Sequence, residues 1–420
     1  MYALVDAVSF YASAEKVFDP AIRTKPVVVL TNNDGCICAV CPIARKLNIP
    51  KFQPYFKVKH LFAKHNVIVR SSNYELYADL SDKMMNVISR FCDNQHIYSI
   101  DESFLHFNGF TPLIRDWHQY GHQIRRTVWQ ETKLPVGVGF GPTPTLAKAA
   151  NHAAKKLTGF DGVAIIDSES SRKKILAMMD VSDVWGVGKR IAKKLKLMNI
   201  HSALDLAQQE PRRMKRQFSV VLERTVNELN GVACLSWDEV RQDKREIFST
   251  RSFGKRLTDP IALKTALVSH CVTVGKKLRQ QRSVTQRLLL FVASSAHEQV
   301  YYKKSLIYDF ATPSSDSCVL ASAVNQLFDQ LYQPGIQFYK CGVGALELGS
   351  VQFQQPDLFA VSRDNSKLMN CLDTINKRYG SNTLSLASQQ QTQSWHMKRE
   401  YLSPHYTTRW HALPKITCDL

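Results

Sequence analysis

The chain lacks any apolar run approaching the roughly 18 residues of a membrane-spanning helix. Its 44% hydrophobic content is instead enough for ordinary buried cores. Acidic residues are scarce: 36 Asp and Glu against 55 Lys and Arg leave a formal charge of +19 over 420 residues. Such an excess repels itself and points to a polyanionic partner, nucleic acid before a membrane surface. The apolar N-terminus has no basic leader and is interrupted by Asp6, so a signal peptide is not expected. Of ten cysteines only Cys36, Cys38 and Cys41 lie close together, with no fourth ligand at zinc spacing. Reduced thiols in a cytoplasmic protein are the expectation.

One basic residue is missing where it would matter. In Tyr98-Ser99-Ile100-Asp101-Glu102-Ser103-Phe104 two adjacent carboxylates stand in an apolar run with no Lys or Arg to pair with. Consecutive strand residues face opposite sides, so a strand end or hairpin bend is their expected setting. Buried acids neutralise, pair with a base or hold a cation. A third acid of this kind, Asp6, sits in the strand-like Tyr2-Ala3-Leu4-Val5-Asp6-Ala7. Two such segments suit oxygen ligation of one or two Mg²⁺ beside phosphate oxygens; strand-end acids facing water are the alternative.

Between and after these segments, strand and helix signals alternate. Phe10 to Val17 opens a helix, Lys25 to Leu30 is a β-branched strand, and Asn32-Asn33-Asp34-Gly35 turns the chain. Helical spacing recurs over Asp79 to Cys92 and Tyr120 to Thr132. The strand Pro135 to Phe140 leads into a helix-favouring run, Thr145 to Lys155. Glycines at that junction could cradle phosphate, but the pattern is not a full phosphate-loop signature. Ser171 to Ala233 is read as all helix. Within it Val184-Trp185-Gly186-Val187-Gly188-Lys189-Arg190 resembles a helix-hairpin-helix, whose exposed backbone N–H groups bind DNA phosphate without reading bases. Ser236 to Glu246 is a polar tether. Beyond it a strand from Ile247 to Arg256 carrying Arg251, a helix and the strand Arg287 to Val292 form an α+β module with cations at its ends. Past Gly349 the composition turns to Gln, Asp, Asn and Ser, and Gln355-Pro356-Asp357-Leu358-Phe359 has the form of a linear docking peptide or a plain linker.

Taken together these residues resemble the Y-family translesion DNA polymerases, and more narrowly the polymerase V catalytic subunits of UmuC type. The resemblance covers nearly the whole chain. It is carried by Asp6 with Phe10-Tyr11-Ala12-Ser13, Asn32-Asn33-Asp34-Gly35, Ser71-Ser72-Asn73-Tyr74-Glu75-Leu76-Tyr77, Ser99-Ile100-Asp101-Glu102, Ala147-Lys148 with Asn151 to Lys155, Trp185 to Gly188, Val221 to Val226, Arg251 to Gly254, and Leu402-Ser403-Pro404-His405-Tyr406-Thr407-Thr408.

The resemblance implies an α+β multidomain right hand: palm at 1–10 and 72–168, small fingers at 11–71, helical thumb with the helix-hairpin-helix at 169–235, linker at 236–246, little finger at 247–350 and a partner-binding tail at 351–420. It also implies that Asp6, Asp101 and Glu102 with the Ala7 carbonyl hold two Mg²⁺. Tyr11 would be the gate that excludes a 2′-OH, and Arg45 and Lys155 would hold the triphosphate of a dNTP. Gly186, Gly188, Lys189, Arg190 and Arg251 would meet primer-template DNA, while Gln355, Leu358 and Phe359 would dock on the sliding clamp. A processed accessory dimer of UmuD type and a RecA filament are the further partners, in error-prone synthesis during the SOS response to DNA damage. The chain departs from that pattern at Val8, Val40-Cys41-Pro42-Ile43, His106 and Pro144, where the polymerase V subunits carry Asn, Arg-Asn-Ala-Glu, Asp and Lys. The three carboxylates are intact, which favours an active enzyme over the alternative, a catalytically impaired DNA-binding protein of the same fold.

Overall fold

The computed structural model describes residues 1–109, 113–235, 243–353, 364–380, 382–389, 395 and 397–413. The chain forms two compact units, Met1–Glu239 with Glu400–Leu420, and Val240–Arg399. The second is thus an insertion in the chain of the first.

The first unit contains β1 (Tyr2–Ala7), β2 (Val27–Leu30), β3 (Ile37–Val40), β4 (Ile68–Ser71), β5 (Gln95–Ile97), β6 (Glu102–His106), β7 (Val136–Gly141) and β8 (Val163–Ile165). They make a five-stranded sheet, β5-β6-β1-β7-β8, and a three-stranded sheet, β3-β2-β4. Strand β1 is antiparallel to both β6 and β7, and this central place accounts for its buried Ala3, Leu4 and Val5. Likewise β2, flanked on both sides, is a run of four buried aliphatic residues. One hydrophobic core joins the two sheets.

Helix Pro144–Lys156 lies against β7 because three residues of that strand have no side chain. A Cβ on Gly139 would sit 2.0 Å from the Asn151 amide nitrogen, and one on Gly141 would sit 2.6 Å from that of Ala147. The glycines therefore admit a helix backbone and do not form a phosphate cradle. Asn151 fastens the contact by donating to the Leu4 carbonyl at 3.1 Å and the Gly137 carbonyl at 2.8 Å. Thr143 caps the helix start, where Pro144 fits without losing a needed N–H. The opposite, alanine-rich face packs into a core shared with helices Glu169–Ala177, Lys189–Leu197, Ala203–Ala207, Pro211–Gln217 and Val220–Leu229.

Helix boundaries move where a cap decides them. The helix read from Asp79 begins at Tyr74, because Asn73 Oδ1 accepts from the Leu76 N–H.

The second unit runs β9 (Ile247–Leu257), helix Pro260–Gln281, β10 (Ser283–Ser294), β11 (Lys303–Ser314), helix Ser317–Leu331 and β12 (Phe338–Ser350). Its antiparallel sheet has the order β11-β10-β12-β9. Alternation along β10 buries Leu288, Leu290 and Val292 in a core with both helices. Edge strand β9 exposes Arg251, Lys255 and Arg256, and charge on an edge also discourages strand addition.

Residues 351–420 do not stay together. Helix Ser366–Tyr379 joins the second unit through Arg279 and Asp373, 2.7 Å apart, and Trp395 is buried in its core, whereas Glu400–Leu420 belongs to the first unit. Gln355, Leu358 and Phe359 lie outside the described residues. Among the described residues no helix is long and apolar enough to cross a membrane.

Gly139→Ala should lower the free energy of unfolding by about 3 kcal/mol or more, since its neighbour is backbone that cannot swing aside. A urea midpoint matching that of the wild type would contradict this packing.

Candidate active site

The two segments that carry the predicted acids adjoin at the end of β1. Asp6 and Glu102 are direct partners across the β1–β6 pair, and the Ala7 N–H donates to the Asp101 carbonyl at 2.9 Å. Glu102 opens β6 and Asp101 occupies the bend before it, the strand-end setting expected of adjacent carboxylates. Ser99 Oγ donates to Asp101 Oδ1 at 2.6 Å, holding that side chain within the turn.

The bases absent from the local run come from helix Pro144–Lys156. Lys155 Nζ lies 2.6 Å from Asp6 Oδ2, and Lys148 Nζ reaches both Glu102 oxygens at 3.0 and 3.2 Å. Gly137 makes room for Lys155, whose Cγ would be 2.5 Å from a Cβ there. Lys148 also sits over the Tyr98 and Trp185 rings, at 4.5 and 4.8 Å from their centroids. Sequence reasoning quoted Lys148 in a motif but gave it no role; only the seven-residue spacing from Lys155, two turns on one helix face, hinted at one. A cleft of about 400 Å³ opens beside these groups, lined by Asp6, Lys148, His152, Lys155, Asp183 and Trp185 among others.

Electrostatically the lysines do not fully offset the burial of Asp6. The Asp6 carboxyl is pushed up to about 6 by burial, with Asp101 and Glu102 adding to the rise against the pull of Lys155. Such a carboxylate fits a divalent cation, which relieves what neighbouring acids impose. Among the described residues no three acid, His or Cys side chains close on one point, since the two ammonium groups hold Asp6 and Glu102.

Tyr11 stacks on Tyr77 with centroids 4.6 Å apart and planes 16° from parallel. Its phenol is pushed up first by burial, then by Tyr74, Cys38 and Asp101, which places it within electrostatic reach of the acids. Arg45 Nη2 donates to Ser9 Oγ at 3.3 Å, at the left-handed turn after β1. Lys51 was not foreseen. Its ammonium is pushed down by desolvation and then by Arg45 and Lys155, while Cys38 and Asp101 pull it up. At the departing tetrapeptide, Val40 and Cys41 are buried, and Cys41 Sγ accepts from the Ala44 N–H to cap helix Pro42–Lys46.

The hairpin Val184–Gly188 exposes Gly186, at φ 89°, and Gly188, which starts helix Lys189–Leu197 without a side-chain cap. Lys189, Arg190, Lys193 and Lys194 are exposed, whereas Ala192 and Leu195 are buried. The helix start thus offers free N–H donors and a field favourable to anions.

Comparison with known proteins agrees with this geometry. The impB/mucB/samB family model matches residues 5–152, its helix-hairpin-helix model residues 169–200 and its C-terminal-domain model residues 244–358. A domain of unknown function, DUF4113, matches residues 366–416. Protein UmuC of Salmonella typhimurium is 42% identical over 422 residues, covering 99% of this chain and 100% of that protein. MucB of Escherichia coli is 36% identical with the same coverage. Among solved structures, a Y-family DNA polymerase chimera based on Dbh covers 83% of this chain and 99% of its own, with a TM-score of 0.62 at 17% identity. The fold is that of the Y-family, DNA-directed DNA polymerases. Within that class the chain belongs to the impB/mucB/samB family and is a translesion polymerase of UmuC type.

The raised Asp6 carboxyl has a thermodynamic sign. Between its ordinary 3.8 and about 6 the folded state binds the proton more tightly than the unfolded state, so stability falls as pH rises through this window. Above it the ionised group costs at most about 3 kcal/mol. Asp6→Asn in the metal-free protein should therefore raise the unfolding temperature by about 2–5 °C at pH 8, and by less at pH 5. An equal or lower midpoint at pH 8 would contradict a carboxylate whose burial costs more than Lys155 returns.

Proposed function

We propose that this chain performs template-directed, error-prone DNA synthesis past lesions by nucleotidyl transfer, with Asp6, Asp101, Glu102 and the Ala7 carbonyl holding two Mg²⁺. The observation that carries the reading is the β1–β6 register, which sets Asp6 opposite Glu102 and joins Ala7 to Asp101. Bound there, the ions would lower the pKa of a primer 3′-OH and neutralise charge on the leaving pyrophosphate. The chain's own groups do the rest. Lys155 and Arg45 meet the triphosphate, with Lys51 adding to the same field. Tyr11, backed by Tyr77, forms a flat wall against the sugar and excludes a 2′-OH. Lys148 neutralises Glu102 until a stronger cation takes that place.

Away from the acids, Gly186, Gly188, Lys189 and Arg190 grip a backbone phosphate, and Arg251 on β9 meets DNA from the second unit. Gln355, Leu358 and Phe359 dock on the sliding clamp, and an accessory dimer of UmuD type and a RecA filament complete an SOS mutagenesis complex acting at the nucleoid. The second reading, an impaired polymerase that occupies DNA, has one observation in its favour. Val40 and Cys41 are core and cap residues, so neither offers a charge to the nucleotide.

Primer extension separates the two. Asp101→Asn should lower extension with Mg²⁺ by about a thousandfold or more while leaving primer-template affinity within about twofold. Activity near that of the wild type would remove the carboxylate assignment, and no extension by the wild type would favour the impaired reading. Leu358→Ala with Phe359→Ala should lose clamp stimulation and keep clamp-independent synthesis on short primers. Equal retention of both activities would make the pentapeptide a linker.

A further inference from the structure

Three motifs far apart in sequence meet in the first unit at a place the reaction itself does not use. The Asn32–Asp34 turn, the Ser71-Ser72-Asn73-Tyr74 segment and Glu400 to Tyr406 are joined by a dense set of hydrogen bonds. Asp34 Oδ1 accepts from Ser71 Oγ at 2.6 Å and its Oδ2 accepts from the Glu400 N–H at 2.8 Å. Ser71 and Tyr401 bond reciprocally, the Tyr401 N–H to Ser71 Oγ at 2.9 Å and the Ser71 N–H to the Tyr401 carbonyl at 2.9 Å. Asn73, fully buried, donates its amide to Ser403 Oγ at 3.0 Å and to the carbonyls of Ser403 and Pro404. Tyr406 stacks on Phe18 at 5.1 Å.

From this strap a polar relay runs inward. Ser403 Oγ donates to Glu15 Oε1 at 3.2 Å, and Tyr77 Oη donates to the same oxygen at 2.6 Å. Glu15 is 2% exposed, and burial pushes its carboxyl up against the pull of these hydroxyls and of Arg70. Tyr77 is fully buried and is the ring on which Tyr11 stacks. Asn73, held by the strap through its amide, caps with its carbonyl oxygen the helix that carries Tyr77.

We infer that the C-terminal segment Glu400–Tyr406 is an internal strap that positions Tyr77, and through it Tyr11, and so sets the preference for deoxyribose over ribose. This gives part of the stretch matched by the domain of unknown function a task within the catalytic unit. It rests on the reading of Tyr11 as the residue facing the sugar. The strap residues act on Tyr77 through Glu15 and Asn73. They supply partners for a buried amide and a buried carboxylate, and groups left without such partners move or take in water.

The test measures kcat/KM for a deoxynucleotide and its ribonucleotide with the full-length chain. Tyr11→Ala calibrates the wall and should lower the preference for deoxyribose by about a hundredfold. Ser403→Ala, and Asn73→Asp, which keeps the cap acceptor but loses the amide donor, should each lower it by about five- to tenfold, with deoxynucleotide kcat/KM within about threefold of wild type. Ser403→Thr, which keeps the hydroxyl, should restore it. A uniform loss of both activities would mean that the strap only supports folding and would overturn the inference. Unchanged preference in Ser403→Ala and Asn73→Asp would overturn it too and leave the Tyr11 reading standing, whereas unchanged preference in Tyr11→Ala would overturn that reading itself. Should neither strap variant fold, Tyr406→Ala, which removes the stack on Phe18, takes their place with the same criteria.

Discussion

The antiparallel pairing of β1 with β6 brings Asp6 and Glu102 face to face and sets Asp101 beside Ala7. Burial, and to a smaller degree the neighbouring acids, oppose ionisation there, as the raised Asp6 carboxyl records. Nearby construction answers this one electrostatic problem. Strand β7 gives up side chains at Gly137, Gly139 and Gly141 so that a helix can lie on it, and the helix delivers Lys148 and Lys155 to the acids. A protonated amine is a movable counter-ion, able to yield to a harder cation and then meet a phosphate. The penalty is thereby held within bounds until substrate arrives.

Much of this was legible in the residues. Acids inside apolar strands pointed to the candidate site, an apolar run marked β1 and a β-branched run β2, and Gly186-Val187-Gly188 before four cations marked the helix-hairpin-helix. Local patterns of this kind depend on neighbours in sequence. The partners of the acids did not, since Lys148 and Glu102 are 46 residues apart and no period in the chain links them. The glycines of β7 suggested only a weak phosphate cradle and not a helix bed, because a missing Cβ says that something comes close without saying what. The strap was least visible of all: Asn73 and Ser403 are separated by 330 residues, and the tail composition that hid it is that of a linker.

The chain thus leaves the catalytic unit after the helical region, builds a second unit and returns to finish the first. A segment that returns to cap a buried asparagine and a buried glutamate adds order at the helix bearing Tyr77. A chain of contacts thus runs from Ser403 through Glu15 and Tyr77 to the ring of Tyr11.

The account stands on the carboxylates of β1 and β6 acting as a cation site, and direct ion binding tests that claim without any turnover. Mn²⁺ should be titrated by electron paramagnetic resonance into the complex of protein, primer-template and a non-extendable nucleotide. The account predicts two bound ions in the wild type and a lost or greatly weakened site in Asp6→Asn and in Glu102→Gln. Ion binding that is unchanged by both substitutions would contradict it.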